Sequence, residues 1–230
     1  MTRLRVVTAI ACGTLFAALT VAVAIHPEPF GVDRAASQNV DGLRAPWLTT
    51  VLSGVTTIGS SPWLVAIVVV VGTAALVLRR DPLPGAWLLA EYLGAVIAYQ
   101  TLKVLLERPR PAGGLVPATG SAYPSGHATQ GIAFFGMLAV VLLAVLPPRL
   151  RMPAAVSAVI LGVVSGLSRV YLGVHWVTDV AGGFLLGGAW LAVILGIRTV
   201  VTRRSSRPGP ARDGGPPPGE PPPSLRRSGG

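Results

Sequence analysis

Residues 124–151 read PSGHATQGIAFFGMLAVVLLAVLPPRLR, with no charged side chain from Ala128 to Leu146. An apolar run of about 20 residues is long enough to cross the hydrocarbon core of a bilayer as a helix. Ser125 is a good N-cap for that helix, and Gly126 lets backbone approach a ligand closely. Five more runs of this kind lie at Val6–Ile25, Pro62–Leu78, Gly85–Leu106, Pro153–Leu167 and Trp176–Ile197, the one at Pro153–Leu167 being short for a span. The expected fold is therefore all-α, an integral membrane protein with six transmembrane helices.

Composition agrees. Of the 230 residues, 51% are hydrophobic and 12% charged, with a mean hydropathy of +0.63. Soluble domains carry about 25% charged residues. A net charge of +10 on a soluble chain would point to nucleic acid or anionic lipid. Here most of the arginines flank apolar runs or lie in the tail, so membrane topology accounts for them and no nucleic-acid partner is expected. Cys12 is the single cysteine, which excludes a disulfide framework and a cysteine metal cage.

Arginines mark alternate connections: Arg3 and Arg5, Arg79 and Arg80, Arg149 and Arg151, then Arg198, Arg203 and Arg204. The positive-inside rule makes these the cytoplasmic ends and puts both termini in the cytoplasm. The other connections then face outward. In the first of them, Leu43, Trp47, Leu48, Val51, Leu52 and Val55 recur at helical spacing, predicting an amphipathic interfacial helix over about Leu43–Ile58. Ala22-Val23-Ala24 resembles a signal-peptide cleavage site, but the first apolar run exceeds the 7–15 residues of a signal core, so a retained anchor is expected. Residues 1–204 form one membrane domain. Residues 205–230, rich in Pro, Gly and Arg, are expected to be a disordered cytoplasmic tail.

Polar clusters gather on the outward side. Lys103 is the only lysine against eighteen arginines. Pro109 and Pro111 break the helix after it, so Lys103 and Arg110 can aim a point charge and a planar fork at one phosphate. Taken singly, each could be an anchor snorkelling to the interface. Arg108 and Glu107 read as a surface pair. Pro124-Ser125-Gly126-His127 opens a helix whose free amides and dipole favour an anion, although an ordinary turn with an interfacial histidine has the same sequence. His175 and Asp179 share a helix face. Asp179 can fix one imidazole nitrogen and leave the other as a nucleophile; the plainer alternative is a structural pair seating the helix. Arg169 lies beside them in sequence. No carboxylate cluster offers itself to Mg²⁺, so no metal or other cofactor is expected.

Together these residues resemble the type 2 phosphatidic acid phosphatase (PAP2) superfamily. That signature, K-x6-R-P, P-S-G-H and S-R-x5-H-x3-D, is filled here by Lys103, Arg110-Pro111, Pro124-Ser125-Gly126-His127, Ser168-Arg169, His175 and Asp179. The resemblance implies a metal-independent phosphatase of the bacterial plasma membrane, with its site on the extracytoplasmic side. His175 would attack phosphorus, Asp179 would orient it, and His127 would serve as acid and then base. Lys103, Arg110, Ser125, Gly126 and Arg169 would hold the phosphate. The implied substrate is a membrane lipid phosphate entering laterally, with a polyprenyl diphosphate favoured; Arg44 or Arg108 could supply extra charge for a diphosphate. Oligomeric state is left open.

Two alternatives use the same residues: a lipid phosphotransferase, and a noncatalytic lipid-phosphate binder or transporter. The oriented His175 argues against a mere binder. A transporter would show more charge at mid-bilayer, where Glu91 is the only acid well inside a span besides Asp179 and is expected to snorkel. The superfamily's haloperoxidases are soluble, unlike this chain.

Overall fold

The computed structural model describes residues 2–205. The predicted tail lies outside the described residues, apart from Ser205 at the end of the last helix. Eight helices follow one another: α1 (Thr2–Ile25), α2 (Gly31–Asp41), α3 (Pro46–Ile58), α4 (Ser61–Arg79), α5 (Leu83–Leu106), α6 (Gly126–Val145), α7 (Pro148–Tyr171) and α8 (Val177–Ser205). Six of them, α1 and α4 to α8, are long and apolar enough to cross a membrane. The described residues contain no strand.

The segment that opened the sequence reading becomes the centre of the bundle. Helix α6 is the most enclosed of the six, and it packs against α5, α7 and α8. Phe134, Phe135, Met137 and Leu138 of α6 meet Leu64 of α4, Leu88 of α5 and Ala155 and Ala158 of α7 in the main core. Outward faces stay apolar, as with Val70 and Val77 of α4 or Val104 and Leu105 of α5. Lipid is as apolar as such side chains, so helix association in a bilayer relies on close packing between small residues. Gly131 of α6 and Gly162 of α7 provide it. A Cβ added to Gly131 would lie 2.3 Å from the Gly162 carbonyl oxygen, and one added to Gly162 would lie 2.1 Å from the Gly131 oxygen. On α8, Gly183 and Gly187 approach the Ser125 and Thr129 carbonyls in the same way, their added Cβ atoms falling 2.6 and 2.5 Å away. These contacts draw α8, around Gly183 and Gly187, against the first turn of α6.

Helix α7 is longer than expected, running over Pro148–Tyr171 instead of Pro153–Leu167. The added turns carry Arg149, Arg151 and Arg169. Arg151 bonds the Leu146 carbonyl at 2.7 Å in the opening turn, and Ser168 and Arg169 point into the bundle. The first outward connection holds two helices where one was expected. Helix α3 matches the predicted amphipathic segment: Leu48 and Leu52 pack on Tyr171, Leu172 and Val174, while Trp47 and Val51 are exposed. Helix α2 was not anticipated. Its Asp33, at the third helical position, accepts the Phe30 amide at 3.1 Å. Glu91 also departs from expectation: it is fully buried instead of snorkelling, with neither carboxyl oxygen hydrogen-bonded within the described residues.

Candidate active site

Four chain segments converge on one end of the bundle. Lys103 lies in the last turn of α5, which ends at Glu107 in the left-handed conformation (φ 42°). The turn sends Arg108-Pro109-Arg110-Pro111 back across the helix ends. Lys103 Nζ donates to the Ser121 carbonyl at 2.5 Å. Arg110 is held by carbonyls, donating to those of Gly120, Thr119 and Val174 at 2.9, 2.9 and 2.7 Å. Its Nη1 also lies 3.1 Å from Nε2 of His175. Burial pulls the Arg110 guanidinium below its ordinary pKa, with Asp179 opposing.

A guanidinium only donates, so Nε2 of His175 is the unprotonated nitrogen. The ring proton is then on Nδ1, which faces Asp179 Oδ2 at 3.5 Å, a long contact. Burial lowers the His175 pKa from 6.5 to about 4, although Asp179 raises it; Arg110 and Lys103 lower it further. His175 is therefore a neutral imidazole near pH 7, with its lone pair turned towards the cations. Asp179 is fixed in turn. Its Oδ2 accepts the Trp176 amide at 2.8 Å, capping α8, and its Oδ1 accepts from Arg108 at 2.5 Å.

Helix α6 begins at the same place. Ser125 caps it, its hydroxyl accepting the Ala128 amide at 3.4 Å, and is fully buried behind the cavity wall. Gly126 and His127 reach the cavity itself. A side chain at Gly126 would come within 3.0 Å of the Tyr99 ring. His127 Nε2 donates to the Thr56 carbonyl at 3.2 Å, which leaves Nδ1 to exchange a proton. Arg169, from the last turn of α7, donates from Nη1 to the Thr56 hydroxyl at 2.9 Å. Lys103, Arg110, Arg169, His127, His175 and the start of α6 thus surround a cavity of about 390 Å³. A second recess of about 750 Å³ adjoins it across Lys103 and Arg110. Every predicted site residue belongs to this cluster, with Ser125 and Asp179 supporting its wall.

The PAP2 superfamily family model matches residues 84–203. The chain belongs to the PAP2 superfamily. Phosphatidylglycerophosphatase B of Bacillus subtilis is 35% identical over 173 residues, which is 74% of this chain and 85% of that protein. An undecaprenyl-diphosphatase of Sulfolobus acidocaldarius is 32% identical over 126 residues, 52% of this chain and 57% of that one. Among solved structures, the transmembrane PAP2 type phosphatidylglycerolphosphate phosphatase from Bacillus subtilis has a TM-score of 0.77 and 30% identity, with 85% of this chain and 98% of that one covered. This PAP2 protein is accordingly a multi-pass membrane phosphatase.

The PAP2 signature does not account for the whole site. Arg108, expected on the surface with Glu107, is only 1% exposed and bonds Asp33 at 2.8 Å as well as Asp179. Burial between two carboxylates outweighs solvation of a single guanidinium fork. Arg108 is thus engaged internally, and Arg44 pairs with Asp41 at 3.0 Å outside the lining of the 390 Å³ cavity. Neither is placed as a spare cation for a diphosphate. Asp33 and Thr56, both unanticipated, are buried polar groups whose partners lie far away in sequence. Thr56 shares its face of α3 with Thr49 and Ser53 as well as Leu52, so no isolated polar position in the sequence marked it.

Proposed function

We propose that this PAP2 phosphatase hydrolyses a lipid phosphate or diphosphate on the extracytoplasmic face, through a phosphohistidine at His175 and without a metal. The observation that carries this reading is the direction of the His175 lone pair. It points to Arg110, where a phosphate oxygen would sit, while Nδ1 is turned to Asp179. Lys103, Arg110 and Arg169 supply fixed positive charge to the equatorial oxygens, and the amides opening α6 add their dipoles. The buried Arg169 Nε has no hydrogen-bond partner within the described residues, in keeping with an anion-binding role.

In the first step Nε2 attacks the terminal phosphorus and its bond to the leaving oxygen breaks, that of the lipid alcohol in a monophosphate or the bridging oxygen of the departing lipid monophosphate in a diphosphate. His127 delivers its Nδ1 proton to that oxygen, and the phosphate dianion beside it favours the protonated imidazole beforehand. In the second step His127 takes a proton from water, the resulting hydroxide attacks phosphorus, and the P–N bond breaks to release inorganic phosphate. The fixed cations stabilise charge that a metal would otherwise meet.

The similar proteins supply the substrate candidates, phosphatidylglycerol phosphate and undecaprenyl diphosphate. Both carry their phosphate at a membrane surface, which suits a cavity at the end of a helical bundle. Arginines on alternate connections support the outward orientation. The test is phosphate release by the purified protein in detergent with EDTA, from these two lipids and phosphatidic acid, beside His175→Ala. Release by the wild type alone is the expected result. Equal release by His175→Ala would overturn the mechanism, and loss of wild-type activity in EDTA would overturn its metal independence.

A further inference from the structure

We propose that Arg108, clamped by Asp33, is a positioning residue for the reaction, holding Asp179 against His175 and offsetting its charge. Arg108 has this role only if His175 is the attacking group, as proposed above. It occupies one of the unspecified positions of K-x6-R-P, so the signature does not assign it a role.

The geometry is specific. One guanidinium nitrogen of Arg108 bonds Asp179 Oδ1 at 2.5 Å and the Thr178 hydroxyl at 2.8 Å. The other bonds Asp33 Oδ2 at 2.8 Å, and Nε donates to the Pro27 carbonyl at 3.2 Å. The cation also lies 5.4 Å from the centre of the Phe30 ring. Asp33 is committed on its own side: it accepts the Thr178 amide and the Phe30 amide at 2.9 and 3.1 Å. The three charged side chains are fully buried. Such a triad tolerates little rotation, because a buried charge that loses its partner is costly. Asp179 therefore presents Oδ2 to the His175 ring in one orientation.

The second effect is electrostatic. Asp179 alone would favour imidazolium, which cannot attack phosphorus. Arg108 draws on the same carboxylate and limits that effect. The other groups around His175 act from separate elements: Arg110 from the loop after α5, Lys103 from α5, His127 from α6 and Arg169 from the last turn of α7. Among all of these, Arg108 is the one bonded to Asp179. The clamp also ties the connection between α1 and α2, outside the matched family region, to the reacting dyad.

The experiment is turnover by full-length wild type, Arg108→Met, Arg108→Lys and Asp33→Asn from about pH 2.5 to 8, a range that brackets the His175 limb near 4, with folded protein quantified by monodispersity and helical content at each pH. The substrate is whichever of the three lipids above the wild type hydrolyses fastest, and His175→Ala is the inactive control. For Arg108→Met, kcat is expected to fall about 100-fold with KM within about twofold, the signature of misplaced reacting groups. Its acid limb of kcat/KM should move to higher pH. Asp33→Asn should lower kcat about tenfold, as for loss of an outer hydrogen-bond partner, and move the acid limb to lower pH. Arg108→Lys should restore the wild-type limb while recovering only part of kcat. If Arg108→Met does not fold, the other two variants still decide. Wild-type kcat and unmoved acid limbs in folded Arg108→Lys and Asp33→Asn would overturn the proposal, as would acid limbs moving the same way in Arg108→Met and Asp33→Asn. Turnover by His175→Ala would instead bring down the nucleophile assignment itself.

Discussion

The Thr56 carbonyl oxygen lies 3.2 Å from Nε2 of His127. The same residue's hydroxyl is 2.9 Å from Arg169. Thr56, on α3, thus joins two parts of the site that come from α6 and α7. Its carbonyl can only accept, so it fixes the His127 tautomer; its hydroxyl seats Arg169, the cation proposed to bind phosphate. Thr56→Val keeps the first contact and removes the second. It is expected to reduce kcat/KM about tenfold, the scale of a lost hydrogen bond to a charged group, chiefly through KM. Steady-state kinetics would check this, and an unchanged KM would show that Arg169 is held by other contacts.

In the proposed mechanism neutral imidazole is the attacking form of His175, so the direction of its pH dependence follows. Its pKa is depressed from 6.5 to about 4, first by burial. The kcat/KM of the free enzyme should rise with pH through about 4 and then level off as far as this group is concerned. Stability has the same sign. The unfolded histidine takes up a proton below 6.5 while the folded one resists until about 4, so this contribution is present above 6.5 and is lost as pH falls through that window. Thermal unfolding of His175→Asn should show a smaller loss of stability between pH 6.5 and 4 than the wild type.

Asp179→Asn should keep the packing of α8 yet remove the acceptor that favours a proton on Nδ1. Nε2 then carries the proton and loses its lone pair. A fall in kcat of about 10³- to 10⁴-fold is expected by comparison with the aspartate of a Ser-His-Asp triad. Nitrogen-15 chemical shifts of His175 would report the tautomer directly, and an unchanged tautomer would refute this role.

Gly162→Ala probes the bundle instead of the chemistry. The new Cβ would meet the Gly131 carbonyl oxygen at 2.1 Å and Phe135 Cβ at 2.8 Å. The first neighbour is backbone in a packed helix and cannot yield cheaply. Destabilisation of about 1–3 kcal/mol is expected, the usual cost of overpacking, visible as a lower melting temperature in detergent. A melting temperature equal to that of the wild type would mean that α6 and α7 separate readily.

The membrane helices were legible because hydrocarbon demands long apolar runs, and Ala128–Leu146 meets that demand without any tertiary context. The apolar run Pro153–Leu167 is shorter than α7, because apolar length does not mark a helix end whose charges find partners inside the protein. Arg151 turns back to a helix-end carbonyl and Arg169 faces the interior. Lys103, Arg110, His127, Arg169, His175 and Asp179 were legible as site residues from their types, spacing and match to the signature. The interior clamp was not. Asp33 sits in a connection whose sequence shows an ordinary solvated acid, and Arg108 looks like any juxtamembrane arginine.

What the sequence determined by itself was the all-helical membrane class, the number of spans and the list of residues able to handle phosphate. These depend on local properties: apolar length, helix-breaking prolines, a capping serine and the four-residue spacing of His175 and Asp179, although His175 lies in the turn before α8 and not on a shared helix face. Tertiary structure alone decided which nitrogen of each histidine is available and which charges are consumed internally. It also decided that α2 and α3 belong to the site. The physical reason is separation along the chain. Arg108 is 71 residues from Asp179 and 75 from Asp33, and Arg169 is 113 from Thr56. Only packing through small residues such as Gly131, Gly162, Gly183 and Gly187 brings the helix ends close enough for those bonds to form.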